Sequence, residues 1–357
     1  MDETYFLIAF WGLMLSFMGA LTLGGLFEYF GRQDLNIQKK RAAHSRPTSR
    51  LGGLAVCLSI IIISIHKGSW HLEIAISAFP IFAVGLMEDL GWPLKPKIRL
   101  AVGALSASIF VFFKRHYIND VDIVWVNLVL SVTPIALAFT VFCIVGLINA
   151  LNFIDGVNGL ASSKTLTASL ALVWLSTTYN EPNLTFLGVA IFSASLGLFM
   201  LNYPTGRIFL GDAGAYTMGF LLAVSLITLK SKHPEISAWS ILLVIFWPIA
   251  DVAHSIFRRR LKKTRSDRPD YMHLHHVIMR SLMITSGARL SQQWANPLAT
   301  AIILPMATLP VVLGVVYNEN NGLCMGLCLG FALLFACAHS GITRATRRRI
   351  FVIRRPK

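Results

Sequence analysis

Charged side chains are scarce in this chain. Asp, Glu, Lys and Arg make up 14% of its 357 residues, 55% are hydrophobic, and the mean hydropathy is +0.63. Such a composition excludes an ordinary globular protein and is typical of a chain that crosses a membrane several times. We therefore predict an all-α, polytopic integral membrane helix bundle, with residues 1–357 forming a single domain.

Acidic residues are especially few, because 17 Asp and Glu stand against 32 Lys and Arg, giving a net charge of +15. A basic balance of this size can indicate a nucleic-acid-binding protein. Here the basic residues lie in loops between apolar runs. We therefore expect no nucleic-acid partner.

Cysteine is also rare, and its placement argues against a disulfide framework or a metal site. All five cysteines lie in apolar runs: Cys57, Cys143, Cys324, Cys328 and Cys337. Cys324 and Cys328 are one helical turn apart, but no histidine or carboxylate accompanies them as metal ligands would. We predict that all five are packing residues.

Long apolar runs predict about eleven transmembrane helices, each near the roughly 20 residues that a bilayer requires. They lie at about 4–30, 51–66, 71–88, 99–113, 123–148, 161–178, 184–201, 213–229, 238–257, 298–317 and 322–340. The first follows Asp2 and Glu3 rather than the basic start of a secretory signal, so we interpret it as a retained span. Four prolines could interrupt these helices: Pro134, Pro248, Pro305 and Pro310.

The basic residues are unevenly distributed between the two sets of loops. One set carries Arg32, Lys39, Lys40, Arg41, Arg46, Arg50, Lys95, Lys97, Arg99, Lys164, Arg207, the run 258–268 and a basic tail, 342–357. The other carries only Lys67, Lys114, Arg115, Lys230 and Lys232. Positive charge favours the cytoplasmic side, which predicts a periplasmic N-terminus and a cytoplasmic C-terminus. We interpret Asp120, Asp122 and Glu319, on the outer side, as solvated loop residues.

One stretch, 149–160, combines polar groups and glycines at the end of an apolar run. Asn149, Asn152 and Asp155 are spaced three apart and share one face of a continuing helix. Gly156 and Gly159 allow a turn or a close approach to a ligand. A helix C-cap would explain one Asn and one Gly, but not this whole set. We predict a group of oxygen ligands at a membrane surface.

The other unusual polar clusters fall on the same predicted side. The predicted cytoplasmic loops are about 31–50, 88–99, 149–160, 202–215 and 258–297. Their carboxylate and amide oxygens suit Mg²⁺ or Mn²⁺. The histidines of 273–276 follow Arg265 and Arg268, which fits phosphate charge; their spacing is poor for zinc, the alternative. The set predicts phosphoryl transfer between a soluble nucleotide compound and a lipid.

Five motifs between Arg46 and His276 resemble, in order, those of the polyprenyl-phosphate N-acetylhexosamine-1-phosphate transferase superfamily, or glycosyltransferase family 4. They are Pro47 to Gly53, Glu88-Asp89, Asn149 to Leu160, Phe209-Leu-Gly-Asp-Ala-Gly214 and His273-Leu-His-His276. The resemblance implies transfer of a sugar 1-phosphate from a UDP-sugar to undecaprenyl phosphate with release of UMP. It also implies a bacterial inner-membrane enzyme, active on the cytoplasmic face, that initiates a cell-surface glycan such as O-antigen or common antigen.

The resemblance implies a role for each matched residue. The catalytic set is Glu88, Asp89, Asp155, His273, His275 and His276. The substrate-binding set is Arg50, Lys97, Asn149, Gly156, Asn158 and Phe209. Asn152 and Asp212 would hold Mg²⁺. Because the second pKa of a phosphate is near 6, the lipid nucleophile is already mostly dianionic at neutral pH. We therefore expect Glu88 and Asp89 to position substrate rather than to accept a proton.

Two positions depart from the family pattern. Glu88 stands where the family has Asp, and its extra methylene moves the carboxylate by about 1.5 Å, enough to affect a preorganised site. Ser49 stands where proline is common, and we expect little from that change. The alternatives are a transporter, whose site would lie near the bilayer midplane, and a scaffold whose basic loops bind anionic lipid. The identity of the UDP-sugar and a homodimer through lipid-facing helices are open.

Overall fold

The computed structural model describes residues 3–29, 48–65, 69–261, 270, 272–287 and 289–353, and within them the chain forms fourteen helices and no named strand. The helices are α1 (Glu3–Tyr29), α2 (Gly52–Ser64), α3 (Ser69–Asp89), α4 (Pro96–Lys114), α5 (Val124–Leu130), α6 (Thr133–Ile154), α7 (Leu160–Thr178), α8 (Pro182–Asn202), α9 (Gly211–Lys232), α10 (Ala238–Val244), α11 (Phe246–Leu261), α12 (Leu274–Thr285), α13 (Gln292–Val316) and α14 (Asn321–Ile353).

Eight of the described helices are long and apolar enough to cross a bilayer, or nine if the bent pair α10–α11 is one span. The protein is therefore a multi-pass membrane protein with an all-α fold, as the composition predicts. Each of the eleven predicted segments is mainly helical where it is described, and two are interrupted by short non-helical stretches. The exact number of spans and the orientation of the termini stay predictions.

Two predicted segments are broken. The run at 123–148 is divided between α5 and α6, with Pro134 in the first turn of α6. The run at 238–257 is divided between α10 and α11, which meet at 88°, with Pro248 near the start of α11. A proline lacks the N–H that would continue a helix, so it favours a helix start at each place. Pro305 and Pro310 instead lie inside α13.

Helix α9 is the centre of the bundle. In its apolar 18-residue stretch 94% of the residues are buried, against 22% in α1, so α1 faces the surroundings while α9 is enclosed by protein. Helices α2, α3, α6, α7 and α8 all contact α9. Close approach near its start depends on small residues, because a Cβ on Gly53 would lie 2.2 Å from the backbone nitrogen of Gly214.

The helices run in alternating directions, so that their ends form two groups, one at each end of the bundle. We call the end that carries Asp89, Asp155, Asp212 and His273 the motif end, and the other the opposite end. At the motif end, Phe209 N donates to Ser49 O (2.9 Å) and the two segments 49–53 and 208–211 run side by side. Positions 30–47, which include most of the predicted loop 31–50, lie outside the described residues, as do 262–269 and 354–357.

Some predicted surface charges are placed differently. Lys164 is not in a loop: it lies in α7, is 2% exposed, and donates from Nζ to the carbonyl of Ala307 (2.6 Å). Asp120 and Asp122 are not simply solvated, because Lys230 lies 3.3 and 3.5 Å from their carboxylates. Glu319 accepts a hydrogen bond from Tyr179. All five cysteines are free thiols.

Candidate active site

Asp212 occupies the first turn of the central helix α9 and is the meeting point of several motifs. Its Oδ1 accepts hydrogen bonds from Nδ2 of Asn152 (2.6 Å) and from Nη2 of Arg50 (3.3 Å). Three motifs that lie far apart in the sequence therefore converge on one carboxylate, as predicted from their shared side. Asn149 is not part of these contacts: its side-chain amide donates to the carbonyl of Val145, one turn earlier on its own helix.

Asp89 ends α3 and holds the start of α9. Its two carboxylate oxygens accept the backbone N–H groups of Asp212 (2.9 Å) and Ala213 (2.8 Å). A carboxylate at this point satisfies donors that a helix start leaves free and complements the helix dipole. The side chain is fully buried, and Arg50 Nε lies 3.7 Å away. Through these two hydrogen bonds Asp89 fixes the orientation of the backbone at Asp212.

Gly211 makes this arrangement possible. Its φ of +71° is a left-handed conformation, and a Cβ there would lie 2.1 Å from the carbonyl of Arg50 and 2.6 Å from Asp89. Only glycine adopts such a conformation without strain in so little space. The glycine of the Gly-Asp motif is thereby explained by packing at the start of α9.

Asp155 caps the end of α6 and adds a third carboxylate to the group. Burial and the nearby charge of Asp212 raise its pKa to about 7, although Arg50 opposes the shift. Asp89, Asp155 and Asp212 therefore share one arginine in a partly buried place. We name these three acids with Arg50 and Asn152 the carboxylate cluster.

The donor chemistry of the carboxylate cluster fits a hard divalent cation. The hydrogen bonds use Oδ1 of Asp212 and Nδ2 of Asn152, so the other oxygen of each side chain has no partner within the described part of the chain. Mg²⁺ keeps several waters and binds substrate phosphates, and it therefore needs only one or two protein ligands. Among the described residues, no three His, Cys, Asp or Glu side chains form a ready-made metal shell.

Glu88 points away from the carboxylate cluster, towards α4 and α9. Its Oε2 accepts from the Tyr216 hydroxyl (3.0 Å) and lies 3.5 Å from Arg99 Nη1, while Oε1 accepts from Leu94 N (3.3 Å). The same Arg99 nitrogen donates to the Tyr216 hydroxyl (3.2 Å). The two adjacent acids therefore have different structural roles: Asp89 caps α9, and Glu88 connects α3 with α4 and α9.

The histidine motif lies at the start of α12 and against the stretch 149–160. The ring of His273 stacks on Phe153 with centroids 5.7 Å apart. A Cβ on Gly156 would lie 2.6 Å from Nε2 of His275, so this glycine admits the imidazole. The structure thus brings the third and fifth motifs into contact.

The three histidines differ in their surroundings. His273 faces Oδ2 of Asp251 through Nδ1 (2.8 Å), and this carboxylate raises its pKa despite burial. Burial lowers the pKa of His275 well below its usual value; within the described residues neither of its buried ring nitrogens has a hydrogen-bond partner, and Nδ1 lies 3.9 Å from Oδ2 of Asp251. Burial and His273 also lower the pKa of His276, to about 4. At neutral pH, His275 and His276 are therefore neutral imidazoles.

The remaining predicted binding residues have distinct positions. Asn158 is 6% exposed, and its backbone N–H and side-chain amide donate to Asn296 (2.6 Å) and Pro204 (2.9 Å). Phe209 contributes backbone hydrogen bonds to Ser49 and Gly52. Asn158 thus holds the turn in place rather than presenting its side chain to solvent.

Lys97 is exposed in the first turn of α4. Its side chain makes no hydrogen bond or ion pair with the described residues. It is therefore a surface cation at the motif end, outside the carboxylate cluster.

Sequence reasoning named no role for several residues that complete the site. They are Asp251, Asp270, Arg99, Tyr216, Asn296 and His339. Two had a usable signal: Tyr216 lies one helical turn after Asp212 and so shares its face, and Asp251 is an acid within an apolar run. The others become neighbours only through the packing of distant helices.

Comparison with known proteins shows which families and relatives the chain is similar to. A model of glycosyl transferase family 4 matches residues 71–230. A Bacillus subtilis protein named probable undecaprenyl-phosphate N-acetylglucosaminyl 1-phosphate transferase is 26% identical over 253 residues, covering 67% of this chain and 68% of the relative.

Two further relatives are named undecaprenyl-phosphate alpha-N-acetylglucosaminyl 1-phosphate transferase. The Escherichia coli K12 protein is 26% identical over 274 residues, covering 72% of this chain and 73% of its own. The Thermotoga maritima protein is 28% identical over 255 residues, covering 71% and 74%. The family match, the similarity to these relatives and the five motifs, which occur in order and meet at one end of the bundle, support the polyprenyl-phosphate N-acetylhexosamine-1-phosphate transferase superfamily, glycosyl transferase family 4, as the family that this chain resembles.

Proposed function

We propose that the protein transfers an N-acetylhexosamine 1-phosphate from a UDP-sugar to undecaprenyl phosphate and releases UMP. The observation that carries the proposal is the carboxylate cluster at the start of the central helix, at one end of a membrane bundle. The names of the relatives support the same reaction class and favour N-acetylglucosamine as the sugar. The enzyme would work on the cytoplasmic face of a bacterial inner membrane and initiate a cell-surface glycan.

In this proposal an oxygen of the lipid phosphate attacks the sugar-bearing phosphorus of the UDP-sugar. The new bond joins the two phosphates of the lipid product, and the bond to UMP breaks, so UMP leaves with the electron pair. Since a phosphate monoester has its second pKa near 6, no carboxylate has to remove a proton at neutral pH. The hydrogen-bonded state of Asp89 and Glu88 supports positioning roles for both acids.

Asp212 and Asn152 would hold Mg²⁺, or Mn²⁺, through the oxygens left free of protein partners. The ion, when bound, supplies charge neutralisation at the pyrophosphate. Arg50 keeps Asp212 in place and adds positive charge beside the phosphates. Asp155 would release its proton when a cation binds, because the positive charge opposes the burial and the Asp212 charge that raise its pKa.

The transporter alternative is favoured by one observation, the break between α10 and α11, since transport sites often use broken helices. The acid nearest that break is Asp251, which is 2% exposed and paired with His273 at the motif end. It faces the histidine motif rather than a midplane path. The arrangement therefore favours the enzyme.

The test is release of UMP from a panel of UDP-N-acetylhexosamines by purified protein with undecaprenyl phosphate, with Mg²⁺ or with a chelator. Asp212→Asn removes a proposed metal ligand, and Asp120→Asn is its control at the opposite end. We expect Mg²⁺-dependent release that Asp212→Asn abolishes and Asp120→Asn retains. Folded protein that releases no UMP from any sugar would refute the proposal, as would equal rates for the two variants.

A further inference from the structure

Asp251 lies in α11, outside the five motifs, and both of its oxygens contact the histidine motif. Oδ2 is 2.8 Å from Nδ1 of His273, and Oδ1 accepts the backbone N–H of Leu274 (3.1 Å). The carboxylate is 2% exposed. A buried carboxylate is costly unless it is hydrogen-bonded or paired, and both of its bonds here go to the start of α12.

His273 is oriented by this contact in a way that leaves one nitrogen available. With Nδ1 bound to Asp251, Nε2 is the free position of the ring. Nε2 has no partner among the described residues, yet it is not one of the buried unpartnered atoms, unlike both nitrogens of His275. The ring stacks on Phe153, the residue after Asn152. His273 therefore offers an accessible donor beside the stretch 149–160.

The segment that carries His273 is held from two further sides. Asp270 accepts from Ser255 and Arg258 of α11 and from the backbone of Met272. On α14, His339 is hydrogen-bonded through Nε2 to the carbonyl of Met272 (2.7 Å). Together with the two bonds of Asp251, these contacts hold the backbone on both sides of His273.

Other titratable groups near His273 set its charge as well. Asp270 favours the charged ring and Arg258 opposes it. His275 and His276 follow it on α12, while His254 and His339, whose rings are 4.5 Å apart, face the same segment from α11 and α14. Of these groups, Asp251 alone binds the His273 ring directly.

Resting on the proposed function, we propose that Asp251 is a positioning residue that fixes the His273 ring and the positive charge it presents to a substrate phosphate. Carboxylate–imidazole pairs elsewhere act in this way, by setting the tautomer and stabilising the imidazolium. The imidazolium then donates from Nε2–H to a phosphate oxygen. The three histidines of the motif are thus not equivalent, since His273 alone carries the charge.

Asp251→Asn separates charge from placement. The Asn Oδ1 can still accept from Leu274 N, and its amide then donates to Nδ1 of His273. That bond selects the neutral ring with a proton on Nε2. The variant therefore keeps a donor at Nε2 and loses the positive charge, whereas Asp251→Glu keeps a carboxylate.

A direct titration tests the pairing without any turnover. Full-length protein carrying ¹³Cε1-labelled histidine is titrated by NMR, and the His273 signal is assigned from its loss in His273→Gln. We expect native His273 to titrate above the ordinary value of about 6.5, and in Asp251→Asn to titrate at or below it. Native His273 titrating at or below the ordinary value would overturn the proposal, whether or not the Asp251 variants fold.

Activity and binding show which phosphate is involved. Since His273 loses its charge as pH rises through its pKa, we expect the alkaline limb of kcat/KM to move to lower pH in Asp251→Asn. At pH 7.5 we expect a fall of about tenfold to hundredfold, below the roughly 10²–10³ typical of losing a whole donor. Weaker binding of UMP by calorimetry would assign the contact to the nucleotide phosphate, and a raised KM for undecaprenyl phosphate alone would assign it to the lipid phosphate.

A matched variant separates charge from simple misplacement of the segment. His339→Gln retains a side-chain N–H for the Met272 carbonyl and leaves Asp251 untouched, so we expect its alkaline limb to stay where the native one lies. An equal shift in both variants would overturn the charge assignment. If the titration behaves as expected while native protein releases no UMP, the pairing stands and the proposed function falls.

Discussion

The two ends of the bundle differ in how their acidic side chains are paired with basic ones. At the opposite end, each described acidic residue that takes part in ion pairs or hydrogen bonds between helix ends has a basic or hydroxyl partner. Lys230 lies between Asp120 and Asp122, and Lys232 bonds to Glu181 (2.6 Å). These contacts join the end of α9 to the loop between α4 and α5 and to the start of α8. Charges of alternating sign here tie helix ends together.

At the motif end, three acids crowd around one arginine. Within the described part of the chain, the ion pairs of Asp89 and Asp212 are made with Arg50, whose charge also acts on Asp155. Like charges held together in a partly buried place lower stability. A fold keeps such a cluster when a ligand supplies the missing positive charge, so the contrast marks the motif end as the functional one.

The sharpest test of this contrast compares two helix-capping aspartates. Asp89 caps α9 at the motif end, and Asp122 accepts from Ala238 N at the start of α10 (2.6 Å). Replacing either by Asn should lower the unfolding free energy by about 1–2 kcal/mol. We expect Asp89→Asn also to slow UMP release at least about 100-fold, because misplacing a preorganised group has that scale of effect. Asp122→Asn should leave turnover per folded molecule within about threefold.

Measuring UMP release and thermal unfolding on both variants separates the two effects. Equal turnover losses at matched stability loss would show that capping alone explains Asp89.

The second test uses the raised pKa of Asp155, about 7. A cation must compete with the proton on this carboxyl, so its apparent affinity should rise about tenfold from pH 6 to pH 8. Without cation the sign is reversed for stability: the folded state holds the extra proton between the unfolded value of about 3.9 and 7, so stability falls as pH rises through that window.

Thermal unfolding with and without Mg²⁺ at several pH values measures both trends. Asp155→Asn should flatten them, while Asp120→Asn should change neither. A native protein whose Mg²⁺ stabilisation is independent of pH would remove Asp155 from the cation site.

The sequence predicts helices well here because a bilayer demands long apolar runs, and every predicted run is mainly helical where described. It predicts breaks less well. The rule that proline interrupts a helix marked four prolines as possible breaks. Of these, only Pro134 and Pro248 lie at helix starts, while Pro305 and Pro310 lie inside α13. Whether a proline breaks a helix depends on tertiary packing, which composition does not contain.

The site shows a similar division. Asp212, Asn152, Asp155 and Arg50 were predictable because the motifs place oxygen ligands and cations on one membrane side. The pairing of Asp251 with His273 was not, because 22 residues and a change of helix separate them. Nor could the sequence tell that Asn158 is turned inward, since its amide fits both a ligand contact and a buried turn.

A third test concerns the two neighbouring acids. Glu88→Asp restores the usual family residue but shortens the reach to the Tyr216 hydroxyl (3.0 Å). Losing this bond should cost about 1 kcal/mol, so we expect turnover to fall about threefold to tenfold. Tyr216→Phe, which removes the same bond from the other side, should match it. Glu88→Gln abolishing a strong acid-side pH dependence of the rate would instead identify Glu88 as a base.

The smallest effect on turnover should come from Lys230→Met at the opposite end. Lys230 is 7% exposed and stands between two carboxylates, so its loss should lower the unfolding free energy by about 1–3 kcal/mol, less than for a fully buried pair. Since α9 runs from the carboxylate cluster to Lys230, a stiff helix could carry a disturbance along its length. We expect UMP release per folded molecule to stay within about twofold, because Asp89 fixes the start of α9 locally. A larger loss, at a temperature where the variant is fully folded, would show that the two ends are coupled and that the stabilising network also sets the geometry of the site.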